Sequence, residues 1–503
     1  MLIKPEGIIF TKDASIFILP DELLHFFLDH KYYTRQYFCR KHEYYQENPN
    51  EPSSANPALL LANICISVFN YDPQGAAYAS RQLTYYERGN SAVDYSWTSS
   101  DFGAFDVLRQ VSKMTELATA SGAQNYVGLG KFFRAVLFTR LTETFGDVPY
   151  SDALKALEGN TKPKYDKQED IYIGLLAELE EANNILSDAN GNIAGDIIYG
   201  GKASQWKKLV NAYRLRLLIH LSKKEANTNL NIKQQFQTII SDPAKYPLMS
   251  GPGDNGQIVF NSTATSNYYP PAGNLSLGTA VSLEQGLAKI LKDRNDPRIF
   301  SFAEPITGLT PNNFANYAGV NAGLTIADQQ STSATASRIA RRYSDLGNPA
   351  NEPLILLGYP EQEFLIAEAI TRGWITGAGT TEEHYNNGIT ASMAFYNITG
   401  ATVTNYLNGT NVKFNPADAL SQIIIQKYIA LYMQSGWEAF FEQRRTEIPT
   451  LNVGPGTYND GKVPKRWLYP QSEYDYNKEN VDAAVASQYG GNDDTNGVMW
   501  LIQ

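Results

Sequence analysis

The feature that most constrains the fold is an apolar stretch at residues 126–150 of the sequence. Large apolar side chains recur there four residues apart, at Phe133, Leu137, Leu141 and Phe145. This spacing places them along one face of an α-helix. Gly146 follows at a position where a helix end often needs positive φ, and Pro149 prevents the helix from resuming. The stretch therefore predicts a helix at about 124–145 that ends in a sharp turn.

Small residues on this predicted helix indicate close packing against a neighbouring helix. Gly128 and Gly130 carry no side chain, so the backbone of a second helix can approach them closely. The same glycines could begin a dinucleotide-binding loop, but the third glycine of that motif is missing and no strand precedes it. We therefore interpret the stretch as one half of a helical hairpin.

Helical periodicity continues through the chain and groups into two blocks. Further helices are predicted at about 58–69, 75–86, 101–117, 166–182, 204–222, 232–241, 359–374, 384–396, 417–432 and 437–445. The blocks, 58–241 and 359–445, enclose a loop-rich insert at 245–355 with one short helix near 283–292, and an irregular tail follows at 451–503. We predict an all-α dominated fold of tetratricopeptide-like helical hairpins, in which the insert forms the ligand-binding face.

Composition and charge limit the classes of function. The chain has 503 residues, of which 43% are hydrophobic and 19% are charged, so it can bury a large core. Its net charge of −10 argues against a nucleic-acid partner, because phosphate binding needs a basic surface. Residues 1–44 do not follow the helical pattern, and we interpret them as an atypical N-terminal leader before a single domain at 45–503.

The sequence contains no recognisable motif for catalysis or metal binding. Its five histidines form no H-x-x-x-H or H-E-x-x-H pair, and no G-x-S-x-G motif occurs. His220, near two arginines of a predicted helix, is expected to be solvated or to cap that helix. The oxygen-rich segment 491–496 could hold calcium, but a solvated turn is the favoured interpretation. Cys65 is interpreted as an inert core thiol. The sequence thus predicts no catalytic residue, no metal and no cofactor.

Aromatic residues in loops are the candidate ligand-binding groups. Trp97 lies in a polar loop just before a predicted helix, where its ring could stack on the flat apolar face of a sugar. The alternative, that Trp97 folds into the core, stays open. The predicted ligand-binding residues are Trp97, Tyr95, Tyr268, Tyr269, Asn274 and Tyr317. Trp206, Trp374 and Trp437 are instead expected to pack in the core, and Trp467 and Trp500 to fix the tail.

Several of these segments together resemble the SusD/RagB family of outer-membrane nutrient-binding lipoproteins. The first is Arg134-Ala135 with the Phe-Gly-Asp-Val-Pro-Tyr sequence at 145–150. Further similar segments follow in the family order, at 164–172, 179–182, 196–208, 214–216, 361–373, 385–396, 437–449 and 464–473. The resemblance covers about residues 45–503, and the ordered series of segments makes it specific.

The resemblance implies a non-catalytic protein on the extracellular face of the outer membrane. Such a protein binds glycans and delivers them to a SusC-like TonB-dependent transporter, and a lipid anchor holds it on the membrane. Two alternatives remain: a peptide-binding or protein-docking scaffold of the same fold, and a helical hydrolase. The start of the sequence departs from the family pattern, since Cys39 precedes the Asn-Pro-rich lead-in but residues 36–38 do not form a good lipidation motif. No family motif transfers the ligand-binding residues, because they vary in position and identity.

Overall fold

Helices form most of the structure, which is a computed structural model that describes residues 8–10, 16–18 and 56–503. The chain divides into two units, at 1–56 and 57–503. In the first unit, β1 (Ile8–Phe10) pairs antiparallel with β2 (Ile16–Ile18). The rest of the predicted leader, including Cys39, lies outside the described residues.

The helices of the first predicted block follow the sequence periodicity. They are α1 (Pro57–Phe69), α2 (Pro73–Ala79), α3 (Ser91–Asp94), α4 (Ala104–Ser121), α5 (Gln124–Phe145), α6 (Gln168–Ile185), α7 (Ala203–His220) and α8 (Ile232–Ser241). The predicted helix at 124–145 is confirmed as α5, which packs against α4 on one side and α6 on the other.

The remaining helices lie in the insert, the second block and the tail. The insert contains α9 (Leu275–Ala280), α10 (Gln285–Asp293), α11 (Ile299–Phe302) and α12 (Ile326–Ser333). The second block contains α13 (Tyr359–Thr371), α14 (Thr381–Phe395), α15 (Ala401–Leu407), α16 (Ala419–Ala430) and α17 (Glu438–Thr446). The tail adds α18 (Gln471–Tyr476) and α19 (Lys478–Tyr489), two helices that the sequence pattern missed.

The glycines of α5 mark two close helix contacts, as the sequence predicts. A Cβ atom at Gly130 would lie 2.1 Å from Thr115 Oγ1 of α4, and one at Gly128 would lie 3.0 Å from Leu186, just after α6. Gly146 then ends α5 with φ of 90°, and its N–H donates to the Thr142 carbonyl oxygen at 2.8 Å. A Cβ at Gly146 would lie 2.1 Å from Gln488 Oε1, so the tail closes directly over this turn.

Short strands attach the insert to the helices. β3 (Leu83–Tyr85) pairs antiparallel with β5 (Val281–Leu283), and β4 (Gly256–Ile258) pairs antiparallel with β6 (Leu354–Leu357). The prediction of one helix over 75–86 is therefore wrong in its second half. Residues 83–85 form a strand because they pair with a segment of the insert, a contact that local periodicity cannot reveal.

The core joins both blocks and contains several predicted residues. Cys65 is fully buried with a free thiol, and Trp206 and Trp374 are buried, as expected. The blocks are also linked by a buried ion pair, in which Arg216 Nε of α7 lies 2.7 Å from Glu361 Oε1 of α13. Within the described residues, none of the helices has both the length and the apolar character needed to cross a membrane.

Candidate functional site

An open groove of about 670 Å³ lies between the first helical block and the insert. Its lining residues come from two segments, 72–91 and 274–276; they are Asp72, Gln74, Gly75, Tyr78, Tyr85, Arg88, Gly89, Asn90, Ser91, Asn274 and Ser276. The pairing of β3 with β5 brings these distant segments side by side. The volume falls within the roughly 300–1,000 Å³ that small-ligand sites occupy.

Helix capping fixes three polar side chains of the groove. Asp72 accepts hydrogen bonds from the backbone N–H groups of Gln74 and Gly75 at the start of α2. Asn90 caps α3 and Asn274 caps α9 in the same way. Capping orders these residues, because each side-chain oxygen satisfies backbone donors that have no partner within the helix.

The amide of Asn274 connects the two walls of the groove. Its Nδ2 donates to Gln74 Oε1 at 3.1 Å, while its Oδ1 accepts from the Ser276 N–H at 3.1 Å. One residue of the insert therefore bonds both to its own helix and to the opposite wall. This arrangement gives the groove a defined width at that point.

Two tyrosine rings form the floor of the groove. The ring centroids of Tyr78 and Tyr85 are 6.2 Å apart, and both side chains are largely buried. Burial raises the pKa of both hydroxyls, and the hydrogen bond from Tyr85 to Glu87 Oε2 raises that of Tyr85 further. Both phenols therefore stay protonated at neutral pH. The Tyr78 hydroxyl has no hydrogen-bond partner among the described residues, so it can bond to a ligand.

The rim of the groove presents one charge of each sign. Arg88 is exposed and forms no ion pair in the part of the chain that the structure describes; its guanidinium interacts with the Tyr85 hydroxyl, and its remaining donors are open to a ligand. The exposed carboxylate of Asp72 lies on the same groove and supplies acceptors. Together with Gln74, Tyr78 and Asn90, these groups offer a mixture of donors and acceptors.

Four of the six predicted ligand-binding residues are buried instead of lining the groove. Tyr95 is 1% exposed and its hydroxyl donates to the Ala79 carbonyl oxygen at 2.7 Å. Tyr269 and Tyr317 are 2% and 1% exposed, and each packs against another aromatic ring. Their rings present no face on which a sugar could stack in this structure. The prediction for these three tyrosines is corrected accordingly.

Trp97 also belongs to the core. It is 8% exposed, and its indole stacks on that of Trp467 with a centroid separation of 3.9 Å and an interplanar angle of 15°. Phe440 and the half-buried Trp437 complete the cluster. Of the two possibilities for Trp97, an exposed loop ring or a core ring, the structure shows the core ring. The alternation of buried Tyr95 and Trp97 with exposed polar neighbours was the sequence signal that could have indicated it.

The other two predicted residues are accessible. Asn274 lines the groove, as described above. Tyr268 is half-buried and lies outside the groove lining. A ligand-binding role for either residue stays a prediction. Three other groove residues, Tyr78, Arg88 and Asp72, are not predicted as ligand-binding residues from the sequence, because no local pattern distinguishes them from ordinary surface and core residues.

His220 lies in a buried ion-pair network, and the prediction that it is solvated or capping is wrong. Its Nδ1 is 2.8 Å from Glu143 Oε1, and its Nε2 is 3.0 Å from Glu438 Oε1. Burial alone would lower the pKa of His220, but the charges of Glu438 and Glu143 outweigh burial and raise it to about 9. The imidazole is therefore a cation at neutral pH.

The contacts of this network favour ion pairing over metal binding. His220, Glu438 and Glu442 are close enough to hold a metal ion, but the Lys427 ammonium lies 3.3 Å from Glu438 and 3.2 Å from Glu442. A protonated imidazole cannot ligate a metal, and Lys427 already supplies the compensating charge. The three groups therefore act as members of an ion-pair network.

The acidic segment near the C-terminus also has structural partners. Asp493 pairs with Arg466, accepts from the Tyr469 N–H at 3.0 Å and accepts from the Tyr474 hydroxyl at 2.8 Å. These bonds hold the tail together and engage the carboxylate oxygens that the sequence suggested for calcium. The Asp493 side chain is thus a tail anchor.

A model of the SusD-like protein family, described as starch-binding and associating with the outer membrane, matches residues 49–470. No curated protein sequence matches the chain.

Several solved structures are similar over most of their length. A SusD homologue from Bacteroides fragilis is 35% identical with a TM-score of 0.82, covering 90% of this chain and all of its own. A candidate outer-membrane nutrient-binding protein from Bacteroides vulgatus is 35% identical with a TM-score of 0.83, covering 89% of this chain and 100% of its own. A chitin-binding protein is 25% identical with a TM-score of 0.75, with coverage of 89% and 100%.

Proposed function

This chain belongs to the SusD-like family, and we propose that it binds oligo- or polysaccharides in the groove without catalysis and delivers them to a SusC-like TonB-dependent transporter. In this proposal the protein lies on the extracellular face of the outer membrane, held by a lipid anchor. The family description and the chitin-binding relative support a carbohydrate ligand.

The polar lining of the groove is the observation that carries the proposal. Sugar hydroxyls can each donate and accept a hydrogen bond, so a glycan suits a surface that offers both kinds of group. Arg88, Tyr78 and the side-chain amides donate, while Asp72 and Asn90 accept. The opposite charges of Asp72 and Arg88 suit a neutral ligand. Most of the accessible lining is polar, which favours a glycan over the apolar side chains of a peptide.

Two substitutions test the groove without removing a helix cap. Arg88→Met keeps most of the side-chain volume and removes the charged donors. Asn274→Asp keeps the capping oxygen and removes the Nδ2 donor. Since a lost hydrogen bond to a charged or polar group costs about 1–2 kcal/mol, each variant should bind glycan roughly tenfold more weakly. Arg109→Met, at an exposed arginine of α4, is the matched control.

Isothermal titration with malto- and chito-oligosaccharides and with a mixed peptide pool supplies the measurement. We expect saturable binding of a glycan by the unmodified chain and by Arg109→Met, and weaker binding by the two groove variants. Peptide binding that depends on Arg88 would favour the alternative of a peptide-binding scaffold. Glycan binding that both groove variants leave unchanged would rule out this groove.

Delivery to a transporter has its own test. Co-purification of the chain with a SusC-like transporter expressed in the same outer membrane would support the partner, and separate elution of the two would contradict it. Hydrolysis products in the titration mixture would contradict the non-catalytic assignment.

A further inference from the structure

A second cavity, of about 260 Å³, lies within the helical scaffold and shares no lining residue with the groove. Its walls include Tyr71, Arg140, Trp437 and Phe441, and the ion-paired side chains Arg216, His220 and Glu438. Its volume far exceeds the roughly 10–15 Å³ that a single water needs. The cavity is therefore large enough for a small organic molecule.

The ion-pair network on one side of the cavity has no carboxylate to spare. It contains five carboxylates and five cations, which are Glu143, Glu361, Glu368, Glu438 and Glu442 with Arg216, His220, Lys427, Arg444 and Arg445. Arg372, which is partly exposed to solvent, joins the network at Glu368. Since protonated His220 contributes one of the five positive charges, no carboxylate of the network is left to neutralise another cation.

Arg140 of α5 is such an additional cation. It forms no ion pair in the part of the chain that the structure describes, and its guanidinium makes one hydrogen bond there, from Nη2 to the Val68 carbonyl oxygen at 2.6 Å. Burial lowers the pKa of Arg140; the nearby Tyr213 and Tyr71 hydroxyls act in the opposite direction, and the charge of Arg216 acts in the same direction as burial. The side chain is half-buried and lines the cavity, so its guanidinium is open to an anionic partner from outside the chain.

We propose that this cavity binds a small organic carboxylate, with the Arg140 guanidinium as its counter-charge. Guanidinium and carboxylate match in geometry, because two parallel N–H groups can donate to two oxygens. The Tyr71, Trp437 and Phe441 rings supply apolar contact for the organic part of the ligand. The carboxylate could belong to a free acid or to the terminal uronic acid of a glycan, and both have the same chemistry at Arg140.

Titration at constant ionic strength tests the site. The ligands are acetate, glucuronate, a glucuronate-terminated oligosaccharide and, as the uncharged comparison, glucose. The unmodified chain should bind the carboxylates saturably and with one site, while Arg140→Gln should bind them at least tenfold more weakly. Arg109→Gln removes an arginine from the exposed surface and should bind as the unmodified chain does. Binding of glucuronate but not of its oligosaccharide identifies a free acid as the ligand source.

A crystallographic measurement keeps the proposal testable if Arg140→Gln does not fold. Crystals of the unmodified chain soaked in bromide should give an anomalous peak within hydrogen-bonding distance of the Arg140 guanidinium. Two outcomes would overturn the proposal: carboxylate affinity that is equal in folded Arg140→Gln, or a cavity that contains only water while bromide occupies surface sites. Because the site shares no residue with the groove, its failure would leave glycan binding in the groove untouched, and Arg88→Met should not alter carboxylate binding here.

Discussion

Replacing Trp97 by alanine separates a core role from a ligand-binding role. The indole is 8% exposed, stacks on Trp467 and contacts Phe440, so Trp97→Ala leaves a cavity within an aromatic cluster. Loss of a buried Trp typically costs about 3–5 kcal/mol, and the stacked pair accounts for about 0.5–1.5 kcal/mol beyond area burial. We therefore expect the free energy of unfolding to fall by about 4 kcal/mol, a large share of the roughly 5–15 kcal/mol that holds a domain together.

Urea unfolding followed by far-ultraviolet circular dichroism measures this loss, and the glycan affinity of the folded variant is measured beside it. Tyr458→Ala is the control, because that ring is 68% exposed and its removal should change stability by less than about 0.5 kcal/mol. The expected result is a destabilised Trp97→Ala chain that binds glycan with unchanged affinity wherever it is folded. A variant of normal stability with tenfold weaker glycan binding would refute the burial argument and place the ring at the ligand.

Two further predictions concern pH and the end of α5. The pKa of His220 is raised from its ordinary value near 6.5 to about 9. The charged imidazole therefore stabilises the folded chain fully below about pH 6.5. This stabilisation, at most about 3 kcal/mol, is lost as pH rises through 9. Denaturation midpoints measured from pH 7 to 9.5 should fall with rising pH for the unmodified chain and less steeply for His220→Gln. If the midpoints of the two chains change in parallel with pH, the imidazole is not charged as described. Gly146→Ala should destabilise by about 2 kcal/mol or more, because φ is 90° and the added Cβ would meet Gln488. Gly159→Ala, with the same φ, a ψ of 0° and no atoms nearby, should cost only about 1–2 kcal/mol, and equal costs would show that neither the ψ of −120° at Gly146 nor the tail contact adds to the cost.

Local signals determined which parts of the fold the sequence predicts. α5 was predicted at 124–145 because spacing, small residues and a terminal glycine all agree within one segment. The strand at 83–85 was missed because its hydrogen-bond partner lies at 281–283. Tertiary pairing of that kind overrides the weak local preference of a three-residue segment.

The same distinction explains the functional site. Asn274 was found as a polar residue in an aromatic loop, but Arg88 and Tyr78 became candidates only when the fold placed them opposite it. The pairing of His220 with Glu438 spans 218 positions of sequence, so no motif could reveal the charge on the imidazole. The polar residues beside Trp97 and Tyr95 suggest a solvent-exposed loop, and only the tertiary packing against Phe440 distinguishes that loop from the core.

The closure of the α5 turn by the tail has a consequence for biosynthesis. Gln488 Oε1 accepts from the Asp147 N–H at 2.8 Å, and the Tyr489 hydroxyl donates to the Phe145 carbonyl oxygen at 2.8 Å. A ribosome releases α5 long before it synthesises residues 488 and 489. The first hairpin can therefore form during translation, but its exit turn receives its last contacts only after residues 488 and 489 have been synthesised.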